Sequence, residues 1–296
     1  MKKKVIVFGG AGFLGSYLVE ELLQRGYQTI VSDIGEMDQE ISDCDFIQCD
    51  IMDANQVTEA ISNDVNYVYN LAGFANLDQA VDNPYRTVEL NVLGNINVLN
   101  ACIENDVERF IYASSAYAMN NKGSFYGISK LSSEKVVEEF NKKYKLPYTI
   151  LRYGSVYSER KFKNNYIYYL VETAIKNGQI IHGGDGKEIR EYIHAHDAAK
   201  LSVDVIESDG YKNGQVVLTG VERMARKELF LMIQEILNQD LEIVLSEDGY
   251  DNHYKFTPYT FEPSFSKKLV ANPHIDMGQG LLRCIKAVYN KDVAEY

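Results

Sequence analysis

The sequence predicts an α/β protein in which a doubly wound parallel sheet is followed by a smaller mixed α/β lobe. Short apolar runs alternate with longer helical patterns over the first half of the chain, which is typical of repeated strand, helix and parallel strand units. The first apolar run ends in a cluster of glycines that leads into an amphipathic helical pattern. After about residue 153 the alternation breaks, and loops rich in Gly, Asn and Asp separate the remaining helical patterns.

Each element follows from its local pattern. Buried strands are predicted in the first half at Lys4–Phe8, Thr29–Ser32, Phe46–Gln48, Tyr67–Asn70, Arg109–Ala113 and Tyr148–Leu151. Helices are predicted near 13–26, 53–62, 84–105 and 124–144, and in the second half near 166–177, 196–207, 225–238 and 279–290. The helix near 84–105 is apolar on more than one face, so one face is expected to pack on the sheet and another to meet a partner subunit. We expect a first domain over residues 1–153, with a return segment near 190–215, and a second lobe over most of 154–296.

Composition argues against several classes of protein. Of the 296 residues, 46% are hydrophobic and 24% are charged, which is typical of a globular chain and not of a disordered one. The net charge is −12 and no long basic run is present, so nucleic acid and membrane surfaces are not expected as partners. No stretch is apolar for long enough to be a signal peptide or a membrane span, and we expect a cytoplasmic protein. The four cysteines lack the spacing of a zinc site, so no metal is expected.

The glycine cluster predicts a dinucleotide-binding turn of the Rossmann type. Gly10, Gly12 and Gly15 satisfy G-x-G-x-x-G, while Gly9, Gly12 and Gly15 satisfy G-x-x-G-x-x-G, so the spacing alone leaves the subclass open. Either spacing lets a pyrophosphate approach backbone N–H groups at the start of a helix. Asp33 ends the second strand, where its carboxylate can accept hydrogen bonds from the adenosine ribose and would repel a 2′-phosphate. This arrangement favours NAD over NADP.

Tyr126 and Lys130 are predicted to open a helix with both side chains on one face, one turn apart. A tyrosine with its usual pKa of ~10 is a poor base at neutral pH, but a nearby ammonium group favours the phenolate. Tyr126 can then exchange a proton with a substrate hydroxyl while a hydride moves to the cofactor. Ser114 and Ser115 follow the fifth predicted strand, at the sheet edge where ligands bind in such folds, and either orient the reacting hydroxyl or cap the turn.

These residues belong to an ordered series that resembles the extended short-chain dehydrogenase/reductases, and among them the NAD-dependent sugar-nucleotide epimerase/dehydratase family. The series extends from Lys4 to about Gly220. It comprises GGAGFLG at 9–15, Asp33, Cys49-Asp-Ile51, Asn70-Leu-Ala-Gly73, Asn91-Val-Leu-Gly94, Tyr112-Ala-Ser-Ser115, Tyr126-Gly-Ile-Ser-Lys130, Leu151-Arg-Tyr153, and Gly184-Asp-Gly186 followed by Arg190-Glu-Tyr-Ile-His194.

The resemblance implies a Rossmann-type NAD-binding first domain, a substrate-binding second lobe, a homodimer, and roles for individual residues. Ser115, Tyr126 and Lys130 would be catalytic. Contacts with NAD would come from Gly9, Gly12, Phe13, Leu14, Gly15 and Asp33 around the first turn, from Asp50 and Ile51 beside the adenine, from Leu71, Ala72 and Gly73 along the pyrophosphate and ribose, and from Asn91, Ser114, Tyr126, Lys130 and Tyr153 towards the nicotinamide. Contacts with a nucleotide-sugar substrate would come from Ser115, Tyr126, Ser155 and Arg190, the last through a phosphate.

Departures from the family pattern narrow the expected reaction. Family dehydratases and decarboxylases carry Asp-Glu or Glu just after the reactive Ser or Thr, whereas this chain has Ala116 and Tyr117. We therefore expect oxidation of a ring hydroxyl of a nucleotide-activated sugar, at C4, by a 4-epimerase or a 4-dehydrogenase of surface-polysaccharide sugar biosynthesis. The family's second phosphate-binding arginine has no clear counterpart in Phe256–Pro263, so the identity of the sugar stays open.

Two alternative functions are considered, and two residue clusters can each be interpreted in two ways. A reductase of a small carbonyl compound would usually take NADPH, which Asp33 disfavours, and a non-catalytic NAD-sensing regulator would not need the Tyr126 and Lys130 pair. His194 and His196 are two residues apart, so on a strand they would face the same way and could bind a metal together. The family context instead places them at a strand end and a helix start. The basic cluster over residues 160–163 is either a solvated loop or part of a diphosphate site.

Overall fold

The chain contains a large parallel sheet covered by helices on both faces. A computed structural model describes residues 2–36, 44–119, 122–246, 253, 255 and 267–294. Within them the strands are β1 Lys4–Phe8, β2 Gln28–Asp33, β3 Asp45–Gln48, β4 Tyr67–Asn70, β5 Arg109–Ser115, β6 Tyr148–Tyr153, β7 Ser155–Tyr157, β8 Gln179–Gly183, β9 Ile189–His194, β10 Gly214–Leu218, β11 Arg223–Ala225, β12 Glu242–Ser246 and β13 Lys267–Leu269.

Ten α-helices are present in the same residues. They are α1 Phe13–Gln24, α2 Ala54–Ala60, α3 Leu77–Asp82, α4 Pro84–Val88, α5 Asn95–Glu104, α6 Ser124–Tyr144, α7 Tyr166–Asn177, α8 Ala195–Asp204, α9 Arg226–Leu237 and α10 Met277–Ala294. A π-helical segment, Glu89–Gly94, joins α4 to α5, and short 3₁₀ turns lie at Ala116–Met119 and Asp209–Tyr211. None of the helices in the described part of the chain has both the length and the apolarity needed to span a bilayer.

The predicted fold class is confirmed. Eight strands form the large sheet in the order β13-β10-β6-β5-β4-β1-β2-β3, and every neighbouring pair is parallel. Val5 to Phe8 of β1 have no exposed surface, as expected for a central strand covered on both faces. Strand order reverses between β4 and β1, and in open α/β sheets ligands bind beyond the carboxyl ends of strands at such a point.

Two apolar clusters cover the two faces of this sheet, and a third fills the second lobe. Leu18 and Leu22 of α1 meet Ala198 and Leu201 of α8 on one face. Helices α2, α5 and α6 cover the other face, where Val98 and Leu99 are fully buried. The lobe packs α7, α9 and α10 on two small sheets, β11-β9-β7 and β12-β8. These elements therefore share an apolar core of their own.

Two differences from the predicted elements have physical causes. The single helix expected near 84–105 consists of α4, the π segment and α5, and apolar spacing does not reveal a π turn. Seven strands after residue 154 and the short helix α3 were not predicted, because they are short and lack clear alternation. Strands β10 and β13 return to the edge of the large sheet beyond β6. The division of the chain at residue 153 stays a prediction.

Candidate active site

The glycine turn brings together the residues predicted to hold the NAD pyrophosphate. Gly9 has φ of +78°, and a Cβ added there would lie 2.7 Å from the backbone nitrogen of Ala72, in the segment that follows β4. A Cβ on Gly15 would lie 2.0 Å from the carbonyl oxygen of Gly9. Helix α1 starts at Phe13 after Gly12, with no side-chain cap and no acidic residue in its first turn. Its first N–H groups are thus oriented as an anion site requires.

The adenosine end of the predicted site lies at the carboxyl ends of β2 and β3. Asp33 accepts hydrogen bonds from the backbone N–H groups of Ala11 through Oδ2 (3.1 Å) and of Gly35 through Oδ1 (3.1 Å). These contacts tie its carboxylate to the glycine turn. An open pocket of about 400 Å³ adjoins it and is lined by Ile34, Gln48, Asp50 and Gln56. The pocket is where the adenine contact predicted for Asp50 would occur, while the neighbouring Ile51 is buried.

The π segment positions Asn91 between two parts of the site. The Asn91 side chain accepts a hydrogen bond from the backbone N–H of Phe74 (2.7 Å) and donates to Ser129 Oγ (2.8 Å). Ser133 Oγ donates to the backbone carbonyl of Asn91 (2.6 Å). Phe74 directly follows the predicted cofactor residue Gly73, and Ser129 is next to Lys130. Asn91 therefore fixes the segment after β4 against the helix that carries Tyr126 and Lys130.

Helix α6 and strand β5 bring the three predicted catalytic side chains to one edge of the sheet. Lys130 is buried, its Nζ donates to the carbonyl oxygen of Ala113 (2.9 Å), and it lies 5.9 Å from the centre of the Tyr126 ring. Burial lowers the pKa of Lys130 to about 8, against the opposing effect of Glu134. Ser115 Oγ accepts from the backbone N–H of Tyr117 (3.2 Å), and so its hydroxyl hydrogen is not used in that contact. Tyr126 is half-buried.

A buried ion pair that the sequence analysis missed lies beneath these residues. Glu134 has no exposed surface and receives two bonds from Arg152, Nε to Oε1 (2.9 Å) and Nη2 to Oε2 (2.6 Å). Ser114 Oγ donates to the same Oε1 (2.6 Å). Glu134 is one helical turn after Lys130, and Arg152 stands in the Leu151-Arg-Tyr153 motif, so their positions were visible in the sequence. The pair holds α6 against β5 and β6.

A second missed group surrounds Tyr117. Its hydroxyl lies 2.8 Å from Nδ1 of His253, and Nε2 of His253 lies 3.0 Å from Oδ1 of Asp78 in α3. The ring of Tyr117 is edge-on to the ring of Tyr126, with 6.2 Å between centroids. The hydrogen bond from His253 lowers the pKa of the Asp78 carboxyl, although burial opposes this effect. No sequence pattern links these three residues, because they come from separate elements.

The structure does not bring every predicted site residue together. The hydroxyl of Tyr153 lies 2.7 Å from Ser202 Oγ in the core on the α8 face, whereas Asn91 and Ser114 lie on the α6 face. Its predicted contact with the nicotinamide half of the cofactor stays a prediction. Ser155 begins β7 just beyond the edge of the large sheet, and Arg190 is buried on β9, where its Nη1 donates to the carbonyl oxygen of Ile189 (3.1 Å).

The structure also shows the surroundings of the basic cluster over residues 160–163 and of the histidine pair His194 and His196. Arg160 forms an ion pair with Glu20 of α1 (2.6 Å) and stacks over Tyr17, and Lys161 pairs with Glu172 (2.7 Å). Arg160 and Lys161 are therefore paired with carboxylates of the protein itself. His194 ends β9 and caps α8 by accepting from the backbone N–H of His196, as the family context predicted. The Phe256–Pro263 segment lies outside the described residues.

The residues present fit a bound NAD. The glycine turn packs so tightly that a Cβ on Gly9 or Gly15 would clash with the backbone, the start of α1 has uncapped N–H groups, and Asp33 stands at the end of β2. The buried ammonium of Lys130 lies at the same sheet edge, where it can contact a ribose hydroxyl and the Tyr126 phenol. These features meet the chemical needs of both halves of a dinucleotide.

Comparison with known proteins gives one consistent family. Residues 5–220 match the model of the NAD dependent epimerase/dehydratase family. A putative UDP-glucose 4-epimerase of Methanocaldococcus jannaschii is 27% identical over 97% of this chain and 99% of its own. The low-salt glycan biosynthesis protein Agl12 of Haloferax volcanii is 25% identical over 95% of this chain and 97% of its own. The structure of UDP-N-acetylglucosamine 4-epimerase from Methanobrevibacter ruminantium in complex with UDP-N-acetylmuramic acid has a TM-score of 0.80 at 25% identity and full coverage of both chains.

Proposed function

Because this chain belongs to the NAD dependent epimerase/dehydratase family, we propose a reaction of that family for it. The chain is then an NAD-dependent enzyme, and we infer that it reversibly oxidises a ring hydroxyl of a nucleotide-activated sugar at C4. The observation that carries the proposal is the placement of Tyr126 beside the buried ammonium of Lys130, at the sheet edge where Ser115 ends β5. The non-catalytic regulator considered above would have no use for that arrangement.

The chain's own residues divide the chemistry of the step among them. Ser115 holds the reacting hydroxyl by hydrogen bonding, and Tyr126 takes its proton as the general base. The Lys130 ammonium stabilises the phenolate form of Tyr126 that accepts this proton, because opposite charges at this distance favour the ionised form. Bound NAD supplies the acceptor for the hydride that leaves the same carbon and can return it. Once a hydride has returned to the carbon, Tyr126 gives the proton back to the oxygen and the hydroxyl is restored.

Two features support epimerisation over dehydration. Elimination of water needs an acid beside the reacting carbon, and Ala116 and Tyr117 supply no carboxylate at the family's position for it. Two of the relatives reported above are named as 4-epimerases of UDP-sugars. We propose a 4-epimerase, with a 4-dehydrogenase as the outcome if the ketosugar leaves before it is reduced. The relation to Agl12 supports the role in glycan biosynthesis that the sequence suggested.

The site assignments and the partner follow from the same proposal. The predicted NAD contacts from Gly9 to Tyr153 and the predicted substrate contacts of Ser155 and Arg190 are retained as proposed roles. We also propose a homodimer through an apolar patch on the α4, π and α6 helices, which consists of Tyr85, Val88, Leu93, Phe125, Ile128 and Leu131. These side chains are 39–79% exposed, and two copies of the patch would cover each other. The cytoplasmic location expected from the sequence stays a prediction.

The proposal is tested by incubating the protein with a panel of UDP-, GDP-, CDP- and dTDP-sugars, including heptoses, while NADH absorbance and product stereochemistry are followed. We expect turnover of at least one nucleotide sugar. Tyr126→Phe should bind NAD with unchanged affinity and lose turnover, because the phenol oxygen that takes the proton is missing. Tyr144→Phe removes a half-exposed phenol at the far end of the same helix and is the matched control. Substantial turnover by Tyr126→Phe, or none by the native protein on the whole panel, would refute the proposal.

A further inference from the structure

We propose that Tyr117 is a substrate-binding residue that accepts a hydrogen bond from a hydroxyl next to the reacting carbon, and that His253 and Asp78 are the residues that position it. The inference rests on the proposed function, since it adds a contact to the same site. It arises from the group formed by Tyr117, His253 and Asp78, which the reaction described so far does not use.

Tyr117 is built into the catalytic surroundings from two sides. Its backbone N–H donates to Ser115 Oγ (3.2 Å), and its ring meets the edge of the Tyr126 ring at 6.2 Å between centroids. A Cβ on Gly123, just before α6, would lie 2.8 Å from Cδ1 of the Tyr117 ring, so only glycine allows this approach. The side chain of Tyr117 is therefore held beside Tyr126 and next to Ser115, the two residues that contact the reacting hydroxyl.

The partners of Tyr117 come from separate parts of the fold. Asp78 lies in the first turn of α3 after β4, Tyr117 in the 3₁₀ turn after β5, and His253 between β12 and β13. The hydroxyl of Tyr117 is 2.8 Å from Nδ1 of His253, and Nε2 of His253 is 3.0 Å from Asp78 Oδ1. The lowered pKa of the Asp78 carboxyl keeps it ionised at neutral pH. A carboxylate, an imidazole and a phenol thus form one continuous chain that ends at the site.

When the ring of His253 is neutral, the carboxylate fixes the direction of every hydrogen bond in this chain. Ionised Asp78 only accepts, so Nε2 of His253 carries a ring hydrogen, and in the neutral tautomer with that hydrogen Nδ1 is an acceptor. The O–H of Tyr117 then donates to Nδ1. Towards a substrate the phenol oxygen can only accept, which suits a sugar hydroxyl or an amide N–H. A sugar carboxylate at that position would meet an acceptor and would be disfavoured.

The test measures kcat/KM of native enzyme and Tyr117→Phe with the best neutral nucleotide hexose and with its 3-deoxy and 6-deoxy analogues. The first analogue lacks the hydroxyl on C3, which adjoins C4, and the second lacks the hydroxyl on C6, which is attached to C4 through C5. With the intact sugar, Tyr117→Phe should lower kcat/KM by about two- to tenfold, the usual range for one neutral hydrogen bond. With one of the two deoxy analogues it should cause no further loss. Tyr144→Phe is the control and should have no effect on any of the three sugars.

Asp78→Asn gives a second test on a side chain that is 72% exposed and not needed for the core. Its amide can donate to Nε2, which moves the ring hydrogen to Nδ1 and releases the Tyr117 O–H to donate. We expect the preference of the enzyme for the neutral hexose over the corresponding hexuronate to fall in this variant. Asp78→Ala should lower the preference for the neutral hexose by a smaller factor than Asp78→Asn, because no group then determines which ring nitrogen of His253 carries the hydrogen.

The outcomes separate this inference from the function on which it rests. If the native enzyme turns over a nucleotide sugar and Tyr117→Phe costs the same factor with all three sugars, or costs nothing, Tyr117 serves only to anchor His253 and the inference is overturned. If Asp78→Asn leaves the discrimination between hexose and hexuronate unchanged, the proposed tautomer is wrong. If the native enzyme acts on no nucleotide sugar, the proposed function falls and this inference falls with it.

Discussion

Replacement of Glu134 by Gln should lower the stability of the fold and should move the alkaline limb of the pH profile of kcat/KM to lower pH. Glu134 is fully buried and is the partner of Arg152, whose side chain is 6% exposed. Glutamine has almost the same shape but no charge, so the variant leaves the Arg152 guanidinium buried without a counter-charge. The same change removes the group that raises the pKa of Lys130 against its burial.

The expected loss of stability follows from these surroundings. Removal of one partner of a buried ion pair costs about 3–5 kcal/mol. For a chain of 296 residues this corresponds to a fall in Tm of about 5–8 °C, since the entropy of unfolding is roughly 2 cal/mol/K per residue. The pKa of Lys130 should fall below its native value of about 8, so the ammonium charge is lost at lower pH. The alkaline limb of kcat/KM should move in the same direction.

Calorimetry and a pH–rate profile check the two effects together. Glu139→Gln on the same helix is the matched control, because Glu139 pairs with Lys142 at the surface and both side chains are more than half exposed. It should leave Tm and the profile almost unchanged. Glu134→Gln combined with Arg152→Met removes both charges and should recover part of the lost Tm. A Glu134→Gln enzyme as stable as the control would refute the reasoning, as would a double variant no more stable than the single one.

Three further predictions concern the cofactor, the pH dependence and the dimer. Gly15→Ala should abolish NAD binding in calorimetric titration, because its Cβ would lie 2.0 Å from the Gly9 carbonyl oxygen, whereas Gly214→Ala, with 3.6 Å to its nearest neighbour, should bind normally. The native kcat/KM should fall as pH rises through about 8, since the Lys130 charge is lost there. Between about pH 8 and 10.5 the side chain of Lys130 binds more protons in the unfolded chain than in the folded one, so the contribution of Lys130 to the free energy of unfolding should rise with pH. A flat profile over pH 7–9 would contradict the role of Lys130. Ile128→Asp should convert the proposed dimer to a monomer in light scattering, while Leu231→Asp, equally exposed on α9, should not. A native protein that is monomeric would refute the proposed dimer patch.

Much of the first domain could be predicted from the sequence because its signals are local. The strand Lys4–Phe8, the glycine turn and the helix after it depend on neighbouring residues, and the fold class that they predicted is confirmed. Helix α6 also has its predicted bounds, so the one-turn spacing of Tyr126 and Lys130 is realised. In such cases periodicity and spacing contain the geometry that the fold uses.

The remainder of the site depends on contacts between distant residues. Arg152 stood in a recognised motif, but its partner Glu134 is 18 residues away and their pairing requires α6 to lie against β6. The π turn at Glu89–Gly94 aims Asn91 at Phe74 and cannot be read from apolar spacing. Residues 78, 117 and 253 come from α3, from the turn after β5 and from between β12 and β13, and they meet only in the folded chain. Substrate-side residues are therefore the ones that sequence reasoning finds last.

The most direct test of the proposed hydride transfer is the fate of deuterium placed at C4 of a nucleotide sugar that the enzyme turns over. Nuclear magnetic resonance of the product and mass spectrometry of the cofactor show where the label goes. If C4 is oxidised by bound NAD, the label stays at C4 of the inverted product in an epimerase, or appears in the reduced cofactor in a dehydrogenase. Loss of the deuterium to water, or turnover with the C4 configuration and label both untouched, would contradict the proposed reaction.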